Sequence, residues 1–248
     1  MHNLLFLHGM PNTSKSIEPV IELLSKNFNV INFDWMSNNK SMKEMTFQIS
    51  EKIKLLDSLS IFGMDWGGII GPRVAYYNKD KIIENIILCN CGLPYSEGCE
   101  IVFEGKSIED HIKPTSIEEF ENSLNDVGNG IAFKKFVSYV QTTDVIDVNK
   151  IIDILTFFDH KIKIDDYEIH KNLPLQMDKE LDISDSVKKY IDNFKNFYYI
   201  ESKNCSISSE GAKTFSFAKK IFSIEDAGHL VTLDQPNELV KIINEIIL

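Results

Sequence analysis

Apolar and polar positions in this chain follow two alternating periods. Short apolar runs, "NLLFLHG" (3–9), "FNVINFD" (28–34), "LSIFGMD" (59–65) and "IENIILCN" (83–90), are each separated by a longer stretch of helical period: a segment reaching Lys26, then "SMKEMTFQISEKIKLL", then "GGIIGPRVAYYNK". Such βαβα alternation predicts a mostly parallel sheet flanked by helices. From about Tyr95 to about Asp192 the strand signal is lost and "TSIEEFENSLNDV", "IAFKKFVSYVQ" and "VNKIIDILTFF" read as successive helices, with Thr115 and Ser116 as N-cap candidates. The sheet pattern resumes with "NFYYIES" and "KKIFSIED" and closes on a helix over "PNELVKIINEIIL" that a proline opens. The expected organisation is therefore a core in two parts, residues 1–94 and 193–248, interrupted by a helical cap over 95–192.

Composition narrows the function classes. With 248 residues and 43% apolar content the chain is long enough for one full core with an insertion. Its 26 basic against 37 acidic residues leave a net charge of −11, which repels nucleic-acid backbones and anionic lipid surfaces. No apolar run approaches the ~20 residues of a membrane span, and the first residues lack the basic start and apolar core of a signal peptide, so a cytoplasmic location is expected. Cys89, Cys91, Cys99 and Cys205 form no CxxC pair and are read as buried thiols rather than a zinc or disulfide framework. No metal and no cofactor is expected. The expected partner is a small-molecule substrate, and the pattern sets no oligomeric state.

The candidate chemistry centres on Gly63-Met64-Asp65-Trp66-Gly67-Gly68. Its central acid follows a buried strand and precedes a helix, with glycines two residues before and two after. That spacing permits a sharp strand-to-helix turn from which the Asp65 side chain projects beyond the sheet. A carboxylate so placed can attack a saturated carbon and form an alkyl-enzyme ester that water must later hydrolyse. A helix N-cap is the simpler role for the same residue.

"FLHGMP" (6–11), "GMDWGG" (63–68), "ILCNCGLP" (87–94) and "EDAGHL" (225–230) occur in an order that resembles the α/β-hydrolase superfamily, in its haloalkane dehalogenase and epoxide hydrolase branch. The resemblance implies an α/β-hydrolase fold with a cap, Asp65 as nucleophile and His229 as the base that activates water. It also implies an oxyanion hole from the backbone N–H groups of Met10 and Trp66, and the Trp66 indole as a leaving-group donor. His8 then shapes its loop.

The chain departs from the pattern at several points. Met10 stands where relatives place a polar or aromatic residue. Phe133 or Phe136 occupies the cap position of a second halide-binding tryptophan. Asn204 aligns with the acid that completes the triad, and the alternative acid position falls near Asn90. Glu201 and Asp226 are candidate substitutes. The resemblance leads to the expectation that the core opens at the family's third strand, with a truncated sheet edge. For epoxide opening the resemblance implies paired acidic tyrosines, and Tyr76, Tyr77, Tyr139 and Tyr167 are the candidates, with no choice among them. The function expected is hydrolysis of a small neutral substrate in the dehalogenase manner. The alternatives are an ester or lactone hydrolase, lyase or cyclase on the same scaffold, and a ligand-binding homologue with weakened catalysis.

Overall fold

The structure, a computed structural model, describes residues 1–9, 14, 17–35, 42–91, 102–103, 106–107 and 196–248. In chain order these form β1 (His2–Leu7), α1 (Glu18–Leu24), β2 (Phe28–Ile31), α2 (Met42–Ile53), β3 (Ser58–Met64), α3 (Trp66–Tyr77) and β4 (Ile82–Cys89). A two-residue hairpin, β5 (Val102–Phe103) with β6 (Lys106–Ser107), follows. Then come β7 (Phe197–Ser202), α4 (Ser206–Thr214), β8 (Lys220–Ile224), α5 (Val231–Asp234) and α6 (Pro236–Ile247).

Six strands make one sheet in the order β2-β1-β3-β4-β7-β8, every neighbouring pair parallel. The strands are nearly all apolar because helices cover both faces. Leu4 and Phe6 of β1, Phe62 and Met64 of β3, and Ile200 of β7 turn towards α1 and α6. The alternate residues Leu5, Leu7, Ile61 and Tyr199 turn towards α2, α3 and the Phe215 end of α4. This is the period-two alternation of a strand, buried twice over.

Two boundaries reflect local chemistry. Pro236 opens α6 as expected, since a first-turn proline loses no intrahelical bond. β2 ends at Ile31 rather than running to Asp34, because side chains beyond it bond to the loop at residue 14 instead of a strand. Asn32 Nδ2 donates to the Ser14 carbonyl at 3.2 Å, and Asp34 Oδ1 accepts the Ser14 N–H at 2.6 Å.

The winding reverses at β1, which has β2 on one side and β3 on the other. In open parallel sheets ligands bind outside the carboxyl ends of the strands at such a reversal. Leu7, Met64 and Cys89 all end their strands there. The cap expected over 95–192 lies outside the described residues except for the β5–β6 hairpin. With it lie Phe133, Phe136, Tyr139, Tyr167 and Cys99.

Candidate active site

A single residue, Asp65, separates β3 from α3. Its backbone has φ 52° and ψ −121°, a left-handed conformation that costs a non-glycine residue about 1–3 kcal/mol and persists only where its surroundings enforce it. The enforcing contacts are visible. The Asp65 N–H donates to the Cys89 carbonyl at the end of β4 (3.0 Å), and the Asp65 carbonyl accepts the Gly68 N–H (2.9 Å). Gly67 lets α3 start hard against β1: a methyl group there would run into the Leu7 carbonyl oxygen. Asp65 stands at the N-cap position of α3 but makes no side-chain capping bond, so the simpler N-cap role is not the one its carboxylate takes. Trp66 occupies the first helical position, where an N–H has no intrahelical acceptor.

His229 arrives on the loop between β8 and α5, 164 positions later in the sequence. Its Nε2 lies 3.8 Å from Asp65 Oδ1, with the two side chains 4% and 18% exposed. Burial pushes the imidazole down to about 4, so the ring is neutral at pH 7. The loop that carries it is bonded at several points. Asn204 N–H donates to Ala227 O (3.0 Å) and Lys203 N–H to Ile224 O (3.0 Å). Gly228 N–H donates to Asp234 Oδ2 (2.7 Å). Burial raises the Asp234 carboxyl to about 6, an effect the Gly228 bond reduces.

The most enclosed of these holders is Asn90, the residue after β4. It is fully buried, and its φ of 49° is one that asparagine tolerates well. Its Nδ2 donates to the carbonyls of His229 (2.8 Å) and Gly228 (3.2 Å), while its Oδ1 accepts from Ser208 Oγ (2.7 Å). Asn90 thus grips the backbone of the histidine loop. Ser208 Oγ in turn accepts the Ser202 N–H (2.9 Å), which joins α4 and the end of β7 to the same network.

At the other ring nitrogen the structure places the residue that follows Asn204. The side chain facing His229 Nδ1 is Cys205, its Sγ at 3.5 Å, and the Asn204 N–H bonds to Ala227 O on the histidine loop. The register of a tight turn is not encoded in any periodicity, so the alignment that singles out Asn204 does not single out Cys205.

Neither substitute acid stands at the ring. The Glu201 carboxylate is engaged by Lys203 Nζ (2.6 Å), Ser223 Oγ (3.0 Å) and Ser209 Oγ (3.3 Å). Asp226 is exposed on a turn with φ 52°.

Other candidates fall as follows. Met10, Phe133 and Phe136 lie outside the described residues. Tyr76 and Tyr77 are exposed at the far end of α3, about 16 Å of helix from the strand-to-helix elbow at Asp65, and are not part of the site. His8 packs at the base of the loop after β1, its Nδ1 3.1 Å from Gly9 O and its carbonyl accepting the Trp35 indole N–H (3.2 Å). Among the described residues Cys89, Cys91 and Cys205 are all buried thiols. Burial and the nearby Asp65 charge raise the Cys91 thiol, and burial raises Cys89, so both stay neutral. No described group of His, Cys, Asp and Glu is arranged to hold a metal ion. No helix among the described residues is long and apolar enough to cross a membrane.

No protein-family model and no curated protein matches the chain. Solved structures do. Epoxide hydrolase I of potato (Solanum tuberosum) superposes with a TM-score of 0.70 at 14% identity, over 99% of this chain and 92% of the other. The ligand-free epoxide hydrolase CorEH gives 0.66 at 17%, over 99% and 91%. A loop variant of a haloalkane dehalogenase from Bradyrhizobium elkanii gives 0.71 at 12%, over 99% and 90%. These neighbours belong to the α/β-hydrolase superfamily, and the chain, with its parallel sheet between two layers of helices, has the α/β-hydrolase fold.

Proposed function

We propose that this protein is a hydrolase of a small neutral molecule, working through an ester on Asp65. The observation that carries the reading is the placement of His229 Nε2 3.8 Å from a carboxylate held on a strained elbow. In the proposed reaction an Asp65 oxygen attacks a saturated carbon and the bond from that carbon to its leaving group breaks, giving an alkyl ester. His229 Nε2 then takes a proton from water as the water oxygen attacks the ester carbonyl carbon. The tetrahedral species expels an alkoxide, which takes the proton back from His229 to become the alcohol. The second water proton, left on the Asp65 carboxyl, passes to solvent or to a basic leaving group and restores the carboxylate. The Trp66 N–H at the head of α3 is the described donor for the developing oxyanion. The epoxide hydrolases and haloalkane dehalogenase of similar fold support this class of chemistry.

Cys205 favours a second reading, in which the ester forms but is released slowly. A thiol at Nδ1 does not stabilise an imidazolium as a carboxylate would, and neutralising that acid in a serine triad costs about 10⁴ in rate. The protein would then act chiefly as a binder that traps its ligand.

Incubation with short haloalkanes, epoxides and esters, followed by intact-mass spectrometry, tests both. An alkyl mass on the peptide containing Asp65 is expected, transient on the first reading and persistent on the second. His229→Phe should accumulate it more completely. An equal adduct on Asp65→Asn protein would overturn the assignment.

A further inference from the structure

Base action at Nε2, on the reading proposed above, requires a lone pair on that nitrogen. A neutral imidazole carries one N–H, so the proton must then sit on Nδ1. The atom facing Nδ1 is the Cys205 sulfur, 3.5 Å away. Both residues are enclosed, Cys205 at 1% and His229 at 3% exposure. The thiol is also well fixed: Cys205 has extended backbone (φ −118°, ψ 113°) ahead of α4, its N–H donates to Ser202 O (3.1 Å), and its carbonyl accepts the Ser209 N–H (3.0 Å).

We infer that Cys205 is a positioning residue for His229: its sulfur accepts the Nδ1–H, which fixes the tautomer that leaves Nε2 as the base facing Asp65. The thiol holds the ring where a carboxylate would otherwise hold it. It orients the imidazole without adding the negative charge that would make imidazolium easy to form. The inference rests on His229 acting as a base, yet it makes a claim about the ring itself that can be read without turnover.

Nitrogen NMR of ring-labelled histidines provides that reading. The protein has six histidines, and His229→Phe assigns the signal. The expected result at neutral pH is the Nδ1–H tautomer in the wild type and loss of that preference in Cys205→Ala, with Cys205→Ser, close in shape, confirming that the fold is kept. In Cys205→Asp the Nδ1–H tautomer should persist, and the ring's titration midpoint should rise by about one to three pH units as an opposite charge favours the cation. Asn204→Asp should raise it less. An Nε2–H tautomer in the wild type would overturn the inference. So would a midpoint unmoved by Cys205→Asp, or one moved further by Asn204→Asp. If the ring responds as expected but no substrate leaves a mass on Asp65, the hydrolase reading fails and the positioning role stands.

Discussion

Asn90 shows how a residue can be conspicuous in sequence for one reason and matter in the fold for another. It draws attention because the sequence resemblance puts an alternative acid position near it, and the structure gives it instead the donor work of an amide. Replacing it with Asp keeps the volume and tolerates the positive φ, while it removes the two donated bonds and puts an ionisable acid in a buried site. The carboxylate cannot donate to the carbonyls of Gly228 and His229, and leaving buried acceptors unmet costs about 1–3 kcal/mol. Asn90→Asp should lower the thermal midpoint correspondingly and reduce whatever turnover the wild type shows, as checked by calorimetry alongside the substrate panel. Cys205 teaches the opposite lesson. Nothing in its spacing marked it, because a one-residue register in a turn is set by bonds such as Asn204 N–H to Ala227 O rather than by periodicity.

The loop after β8 and the short helix α5 that follows it carry two ionisable groups, His229 and Asp234, that respond to pH in opposite senses. His229, lowered from an ordinary value near 6.5 to about 4, takes up a proton more readily when unfolded. Its contribution to stability is therefore complete above about pH 6.5 and is lost as pH falls towards 4. Asp234, raised from 3.8 to about 6, holds its proton more tightly when folded. Its contribution is complete below 3.8 and is lost as pH rises through about 6. In the window between about 4 and 6 the two slopes oppose one another. Asp234→Asn keeps an oxygen to accept the Gly228 N–H and removes the buried charge. Its stability relative to wild type should improve as pH rises from 4 to 7, a trend that urea denaturation at each pH would show; a constant difference would contradict it. The elbow, by contrast, was legible as an element: two glycines spaced about an acid, after a buried strand, specify the turn whose backbone geometry is observed.

At the scale of the whole molecule the alternation of periods was enough to read the parallel sheet and its two helical layers, because strands buried on both faces cannot be mistaken for loops. What periodicity does not encode is which strands become neighbours across a long gap. β4 and β7 pair directly, from Ile86 with Phe197 to Cys89 with Ile200. The join is reinforced by Ile86 N–H to Asn196 O, Asn196 Nδ2 to Glu84 O, and the grip of Asn90 on the histidine loop. A single proteolytic cut between residues 91 and 196 should therefore leave the two pieces associated through native gel filtration and parted only by denaturant; separation without denaturant would show the pairing to be weaker than its geometry implies. The same adjacency has a consequence in chain entropy. Bringing the ends of roughly 100 intervening residues together costs about 4 kcal/mol, and doubling that length would add only about 0.6 kcal/mol. The sheet is thus nearly indifferent to how long the segment between β4 and β7 is, which leaves that stretch open to exchange for a different one while Asp65 and His229 still meet at the ends of the same strands.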